Sequence, residues 1–332
     1  MQNDNNTNAT PAQSRKKKWI LIIGAVVLLL VAGAGVYASH IYNKTENIVE
    51  ESHEEVGREN ETSELRDVSV DPVEDNVSVL FMGVDNSEHR DENASRTDAL
   101  LLATFNKDLG SIKLLSIPRD TYVYVREVGY FTKINHAHFF GGTKATLQTV
   151  EDFLNVPVDY YVRMNFNAFV EVVDALGGIM FDVPYAFSES DSDDNKNAIY
   201  LEAGYQHLNG EEALALARTR KQDSDVERGK RQQEIITAVA KKATSASSVF
   251  KLGDVLDAIA PNMKTNLTFD HMKSFLAYGL DEEIKVEDVN LDGVGTRHED
   301  GLWYYDVYEE NRIEVEQELR QHLDLEIEDE GE

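Results

Sequence analysis

The sequence places arginine and aspartate side chains together at points where apolar strands end. Ser116-Ile117-Pro118-Arg119-Asp120 closes one hydrophobic run, and Asp85 and Asp98 stand at the termini of two others. Arginine presents a planar fork of N–H donors that binds phosphate oxygens bidentately, and carboxylates with room for water are ligands that Mg²⁺ accepts. These residue types favour pyrophosphate chemistry. On spacing alone, Asp85 can equally be a turn residue and Asp98 a salt-bridge partner.

A second basic cluster follows later in the chain. The 14 residues from Arg218 to Arg231 hold six basic and three acidic side chains, in a chain with a formal net charge of −29. Arg218 and Arg220 follow one predicted helix, and Arg228 and Gln232 lie one turn apart at the start of another. Backbone N–H groups at a helix amino terminus add donors for an anion. The cluster is therefore either an anion site or a set of surface salt bridges to neighbouring acids.

Between these clusters lies a short segment with cationic, imidazole and glycine residues. Lys133 can add a point charge to a phosphate, and Gly141-Gly142 can either bring backbone amides close to it or merely begin a helix over 143–154. His136 and His138 alternate as they would on a strand. Since no third ligand lies nearby, we interpret them as polar or partly buried side chains rather than metal ligands.

The elements that must position these residues begin with a hairpin. Residues 77–84 predict a buried strand, and 98–105 and 111–117 predict two more. The Asn, Asp and Gly residues between the last two predict a turn. An antiparallel hairpin would bring Asp98 and Arg119 to the same open end.

Further along, a strand–helix–strand pattern is visible. Residues 160–164 predict a strand, Asn165 a helix cap, Gly177-Gly178 the end of the helix, and 179–183 a second strand. Such a unit favours a parallel pair with a right-handed crossover. Combined with the hairpin, it predicts an α/β fold: a three-layer sandwich with a mixed central sheet and helices on both faces.

The amino-terminal part predicts one transmembrane helix. Trp19 to Ser39 carries no charge, is long enough to span a bilayer, and follows Arg15-Lys16-Lys17-Lys18. Positive charge stays on the cytoplasmic side, so we expect a single-pass cell-membrane protein with its amino terminus in the cytoplasm and its catalytic domain outside. The alternative is a cleaved signal peptide.

These patterns divide the chain into five parts. We expect a cytoplasmic tail (1–18), the transmembrane anchor (19–39), a solvated acidic linker (40–76), one catalytic domain (77–325) and an acidic tail (326–332). The absence of cysteine excludes disulfides and thiolate metal sites. The strongly negative net charge argues against nucleic acid as a partner.

Taken together, these segments resemble the LytR-CpsA-Psr family of bacterial cell-wall proteins. The resemblance covers about residues 77–245 and rests on many separate segments. In chain order they are Met82-Gly83-Val84-Asp85, Ser95-Arg96-Thr97-Asp98, Ser116-Ile117-Pro118-Arg119-Asp120, Lys133-Ile134-Asn135, Gly141-Gly142, Val173-Asp174-Ala175-Leu176-Gly177-Gly178, Leu208-Asn209-Gly210-Glu211-Glu212-Ala213-Leu214, Arg218-Thr219-Arg220, Asp225, Arg228 and Arg231-Gln232.

The resemblance implies a phosphotransferase that moves a glycopolymer (teichoic acid, capsular polysaccharide or similar) from a polyprenyl-pyrophosphate carrier to peptidoglycan. It implies that Arg119, Arg218 and Arg220 grip the pyrophosphate, with Arg228 and Gln232 nearby. It also implies that Asp85 and Asp98 hold Mg²⁺. Two alternatives remain open: a Mg²⁺-dependent polyprenyl-pyrophosphate phosphatase, and a non-catalytic lipid-binding envelope regulator.

The sequence offers two candidates for the base that activates the acceptor hydroxyl. Asp98 and Asp120 are both candidates, and Asp120 can equally serve to orient Arg119.

Overall fold

The computed structural model of the protein describes residues 50–84, 95–219, 225–243, 260–280 and 285–327. The strands are β1 (Val77–Val84), β2 (Thr97–Asn106), β3 (Ser111–Ser116), β4 (Tyr122–Val125), β5 (Tyr130–Lys133), β6 (Tyr160–Asn165), β7 (Ile179–Val183), β8 (Phe187–Glu189), β9 (Ile199–Leu201), β10 (Gly204–Leu208), β11 (Met263–Thr265), β12 (Lys285–Val289), β13 (Gly293–Arg297) and β14 (Trp303–Val307). The helices are α1 (His136–Leu154), α2 (Phe166–Ala175), α3 (Gly210–Arg218), α4 (Asp225–Ala243), α5 (Phe269–Leu280) and α6 (Glu309–His322).

Six strands form a central mixed sheet in the order β11-β6-β1-β2-β3-β12. β1, β2 and β3 pair antiparallel, whereas β6 runs parallel to β1 and β12 runs parallel to β3. The mixed sheet expected from the sequence is therefore confirmed. The predicted hairpin is β2–β3, with Asn106 opposite Ser111 next to its turn.

Alternation along β1 supplies apolar side chains to both faces of this sheet. Leu80 and Met82 belong to one buried cluster, and Val77 and Val79 belong to another. The first cluster includes Leu147 and Val150 of α1 and Val315 and Leu319 of α6. The second is packed by Ala168 of α2, Ile236 of α4, and Met272 and Phe275 of α5. The sheet thus has helices packed on both sides.

The strand–helix–strand unit folds differently from the prediction. α2 is capped by Asn165, whose side chain accepts a hydrogen bond from Ala168 N, as expected. However, β6 and β7 do not pair; the parallel partner of β6 is β1, and β7 pairs antiparallel with β10 in a separate two-stranded sheet. Gly177 and Gly178 both adopt positive φ (+81° and +78°), so the chain turns away from the central sheet after α2.

The two histidines lie on a helix rather than on the strand suggested by their alternation. α1 is interrupted at Gly141 (φ −147°) and Gly142 (φ +62°, ψ −150°), so His136 and His138 occupy a short helical segment before the longer one. The glycine pair marks the start of the helix predicted over 143–154.

Residues 50–76 differ from the solvated linker that their composition indicated. Arg66 forms two hydrogen bonds to the buried carboxylate of Asp159, and Arg58 pairs with Glu151 at 2.9 Å. Burial raises the pKa of Glu151, and the positive charge of Arg58 opposes that shift. Buried carboxylates need partners, so this segment packs on the domain, which begins before the predicted boundary at Val77.

Across the described ranges, no helix combines the length and the apolar character that a bilayer crossing requires. The predicted span over 19–39, residues 40–49 of the predicted linker and most of the acidic tail lie outside the described residues, as do Asp85 and Arg220.

Candidate active site

The candidate site lies at one end of the central sheet. Val84, the last residue of β1, is opposite Thr97 of β2 on one side and Asn165 of β6 on the other. Arg119 follows β3 and donates from Nη1 to Oδ1 of Asp98. The expectation that the hairpin brings Asp98 and Arg119 to the same open end is confirmed.

A tight turn fixes the backbone at Arg119. The N–H and the hydroxyl of Thr121 both donate to the carbonyl of Pro118, at 3.0 and 2.6 Å. The N–H of Asn135 donates to the carbonyl of Arg119 at 3.2 Å. The turn therefore holds Arg119 and Asp120 at its two central positions, directly after the sheet ends.

Four ionic side chains of alternating sign follow one another at this turn. Arg119 bridges Asp98 and Asp120, with its Nε 3.6 Å from Asp120 Oδ2. Lys133 donates from Nζ to Asp120 Oδ1 at 2.8 Å. Asp98, Arg119, Asp120 and Lys133 thus form one series of ion pairs, which we call the ion-pair series.

Exposure divides the roles within the ion-pair series. The side chains of Asp98 and Arg119 are 30% and 27% exposed, whereas that of Asp120 is 9% exposed. Asp120 lies between two cations, so it orients Arg119 and Lys133. Asp98 and Arg119 reach solvent and can contact a substrate.

The neighbouring imidazole, that of His136, is partly buried and lies close to cationic side chains. The pKa of His136 is lowered chiefly by burial and further by the positive charges of Arg96 and Lys133. The ring is therefore neutral at pH 7 and forms a hydrogen bond with the hydroxyl of Thr132 at 2.8 Å. Burial is the main cause of this lowered pKa, and the negative charge of Asp120 opposes it.

Arg218 lies at the same end of the sheet as the ion-pair series. Its guanidinium carbon is 4.6 Å from the ring centroid of Phe166, the residue that follows β6. Strand spacing puts the carboxyl end of β6 and the amino end of β2 about 10 Å apart, with β1 between them. Arg218 also donates to the carbonyl of Asp191 at 3.2 Å and pairs with Asp194 at 3.3 Å, in an acidic loop.

The amino-terminal turns of α4 pack on the end of β3. A Cβ on Gly229 would lie 2.8 Å from Ser116 Oγ, so the glycine permits this close approach. Arg228, its neighbour, is buried (5% exposed). Gly229 and Lys230 line a small cavity together with Pro118, at the turn that carries Arg119.

Two side chains of α4 serve the end of α3. Arg231 is buried and donates to the carbonyls of Leu216 and Thr219, each at 2.7 Å. Gln232 donates to the carbonyl of Ala217 at 3.2 Å. Carbonyls at the end of a helix have no partner within it, so these two residues satisfy them and fix the position of Arg218. Their spacing along the sequence gave no indication of this role.

The sequence did not indicate that Tyr304 of β14 belongs to the surroundings of the site. The Nζ of Lys133 lies 5.6 Å from the centroid of its ring. Burial and the hydroxyl's hydrogen bond to Asp300 raise the pKa of Tyr304 to about 12, so the phenol stays protonated. The residues at 303–307 are consistent with a strand whose side chains alternate between its two faces. However, no signal near Tyr304 in the sequence indicates that it lies close to Lys133.

Asp98 leaves one carboxylate oxygen outside its ion pair with Arg119. Within the described residues, no three His, Asp or Glu side chains come together to hold a metal ion. The ion pair of Asp98 uses Oδ1, which leaves Oδ2 of a partly exposed carboxylate for a hard cation. The donor chemistry therefore fits Mg²⁺ as part of a larger ligand set.

The chain is similar in sequence to known proteins. The chain is 42% identical over 313 residues to an uncharacterized protein of Staphylococcus aureus. The alignment covers 93% of this chain and 76% of that protein. It is 38% identical over 312 residues to the polyisoprenyl-teichoic acid–peptidoglycan teichoic acid transferase TagU of Bacillus anthracis, covering 93% of this chain and 99% of TagU.

A solved structure shows the same fold. The chain superposes on the structure of Bacillus subtilis TagT with bound octaprenyl pyrophosphate lipid with a TM-score of 0.63 and 33% sequence identity. The superposition covers 80% of this chain and 97% of the TagT chain. The sequence model of the LytR_cpsA_psr family matches residues 39–321. The chain described here therefore belongs to the LytR_cpsA_psr family.

Proposed function

We propose that this protein transfers an anionic glycopolymer of the teichoic-acid or capsule type from polyprenyl pyrophosphate to peptidoglycan. The single observation that carries the proposal is the ion-pair series, in which an exposed Arg119 is held between Asp98 and Asp120 at the end of the sheet. TagU is named as a transferase of this kind, and TagT binds a polyprenyl pyrophosphate.

The reaction needs placement and charge neutralisation more than covalent chemistry. The acceptor hydroxyl attacks the phosphorus that carries the polymer and gives its proton to a base, for which the partly exposed Asp98 is the candidate. The bond from that phosphorus to the bridging oxygen breaks, and polyprenyl phosphate leaves. Arg119, Lys133 and Arg218 supply positive charge at one end of the sheet. We assign them, with Arg220 and Arg228, to the diphosphate, because guanidinium donors stabilise the charge that develops on the leaving phosphate.

The two carboxylates have different assignments. Asp120 is largely buried and carries two cations, so we assign it to positioning Arg119 and Lys133. Asp98 is the more exposed carboxylate, and we assign it to the reacting groups. Mg²⁺ held by Asp98 and Asp85 would neutralise part of the diphosphate charge. Gln232 acts indirectly, by holding the end of α3 that carries Arg218.

The cellular location follows from the same proposal. A polyprenyl carrier resides in the membrane, and peptidoglycan lies outside it. Residues 19–39, preceded by four basic residues, fit a single membrane anchor with the amino terminus in the cytoplasm. The family match over 39–321 begins where this segment ends.

The test is a transfer assay with the full chain, a polyprenyl-pyrophosphate-linked teichoic acid and peptidoglycan fragments. We expect a joined polymer–peptidoglycan product and its loss in Arg119→Ala. Arg312→Ala is the matched control, because Arg312 on α6 also bridges two carboxylates, Glu309 and Glu316. Release of the polymer phosphate to water without a joined product would instead identify a phosphatase, and an active Arg119→Ala variant would refute the site.

A further inference from the structure

The β4–β5 hairpin presents an aromatic face that the proposed reaction leaves unexplained. Along β4, Val123 and Val125 are buried, so Tyr122 and Tyr124 point the other way. In the antiparallel register Tyr122 is opposite Lys133 and Tyr124 is opposite Phe131. We call these four side chains (Tyr122, Tyr124, Phe131 and Lys133) the hairpin face.

The rings of the hairpin face are packed against one another. The centroid of Phe131 is 5.3 Å from that of Tyr122 and 5.4 Å from that of Tyr124. Behind them, the rings of His298 and Tyr304 lie 4.5 and 4.9 Å from Tyr122. Supported in this way, the face is a preformed platform.

Core packing explains Tyr122 but not its two neighbours. Tyr124 remains 43% exposed and Phe131 remains 55% exposed. Adjacent, solvent-facing aromatic rings mark a binding surface more often than isolated exposed apolar residues do. These two side chains are therefore available to a ligand.

The hairpin face is continuous with the ion-pair series. Lys133 belongs to both, because its Nζ bonds to Asp120 while its residue pairs with Tyr122 across the hairpin. From Tyr122 the face runs away from the site to Tyr124, a distance of about 7 Å along the strand. A ligand lying on the rings would extend from the reacting groups outward.

The charges around the face select the kind of ligand. Asp300 accepts a hydrogen bond from Tyr304, Asp306 pairs with His298, and Glu127 is exposed in the turn of the hairpin. Two nearby cations are already paired, Lys133 with Asp120 and Arg126 with Glu64 and Asp152. The carboxylates around the face therefore disfavour an anionic polymer but not a neutral amino-sugar chain. Aromatic rings attract the C–H groups of a sugar through the negative charge of their faces.

We infer that the hairpin face binds the glycan strand of the acceptor peptidoglycan, with sugar rings stacked on Tyr124 and Phe131. The inference rests on the proposed function, because it assigns the acceptor side of that reaction. It places the acceptor on the hairpin side of Arg119, and the polymer-bearing diphosphate on the side of Arg218.

Two measurements on the full chain in detergent test this: binding to purified sacculi stripped of attached polymer, and transfer kinetics with donor and acceptor varied separately. For Tyr124→Ala/Phe131→Ala we expect the Kd for sacculi and the acceptor KM to rise about tenfold, with the donor KM unchanged. Tyr205→Ala is the control, because Tyr205 is 71% exposed and lies on β10, in a different two-stranded sheet from the hairpin; it should behave as the wild type.

The outcomes separate the two proposals. Wild-type acceptor KM and Kd in the double variant, with an unchanged melting temperature, overturn the inference while the transfer function stands. A rise in the donor KM alone places the donor polymer on the face, and lost binding to anionic phospholipid vesicles alone makes it a membrane contact; both overturn the inference. If the wild type binds sacculi through these residues but transfers nothing, the function fails and the glycan surface stands.

Discussion

Replacing Arg119 by lysine separates the charge of the guanidinium from its geometry. Arg119 donates from Nη1 to Asp98 while its Nε lies 3.6 Å from Asp120. A lysine at this position keeps the positive charge but has a single ammonium group, which cannot contact both carboxylates and a phosphate as a fork does.

The loss expected for the lysine variant follows from the contacts it gives up. A hydrogen bond between charged groups contributes about 1.5–3 kcal/mol, which corresponds to a factor of roughly 10–150 in rate. Arg119→Ala also removes the charge, and losing a preorganised donor to the transition state costs about 10²–10³ in kcat. We therefore expect kcat/KM to fall from wild type to Arg119→Lys and further to Arg119→Ala.

The assay is formation of joined product at donor concentrations below KM, so that its rate reports kcat/KM. Thermal unfolding of Arg119→Lys should change little, because the pair with Asp98 is partly exposed, such pairs contribute about 0–1 kcal/mol, and Asp120 keeps its partner Lys133. Arg312→Lys, on α6, is the matched control and should retain wild-type kcat/KM. Wild-type kcat/KM in Arg119→Lys, or an equal loss in Arg312→Lys, would refute the reasoning.

Three further predictions concern stability. Arg66→Ala removes the partner of the buried Asp159 and should lower the free energy of unfolding by about 3–5 kcal/mol, measured with urea; an unchanged midpoint would mean that residues 50–76 are dispensable. Arg231→Met removes the hydrogen bonds to two carbonyls at the end of α3, so we expect the stability to fall by about 1–3 kcal/mol. Because Arg218 is then held less firmly, the KM for the polyprenyl-linked substrate should rise; an unchanged KM would contradict the positioning role. Burial lowers the pKa of His322 to about 4, below its unfolded value of about 6.5, so the unfolded chain binds the extra proton and stability falls as pH drops from about 6.5 towards 4. Urea midpoints in that window should fall less in His322→Gln, and equal slopes for both proteins would contradict the assignment.

Local signals in the sequence account for much of the predicted framework. The run of apolar residues before Asp85 gave β1, and the Asn, Asp and Gly residues of 106–110 gave the β2–β3 hairpin. Asn165 marks the start of α2 and the glycines at 177–178 mark its end. Both signals are local, because a helix cap and a glycine with positive φ act within one helical turn. The same local register brought Asp98 and Arg119 together.

Predictions that depended on distant partners did less well. A strand–helix–strand pattern does not reveal which strand will accept β7, and β10 pairs with it instead of β6. The acidic composition of residues 50–76 predicted a solvated segment, because the sequence does not show that Arg66 pairs with the buried Asp159. Alternation of His136 and His138 mimicked a strand because three residues are too few to distinguish a period of 2 from one of 3.6.

The sequence by itself determined the residue types of the site, the hairpin that joins two of them, and the family to which the motifs point. The tertiary structure decided that Asp120 is buried between two cations, that Arg231 and Gln232 support α3, and that Tyr122 and Phe131 form a platform beside Lys133. Turns and caps are fixed by contacts within a few residues. Burial and pairing across the chain depend on how helices and sheets pack, and no short stretch of sequence carries that information.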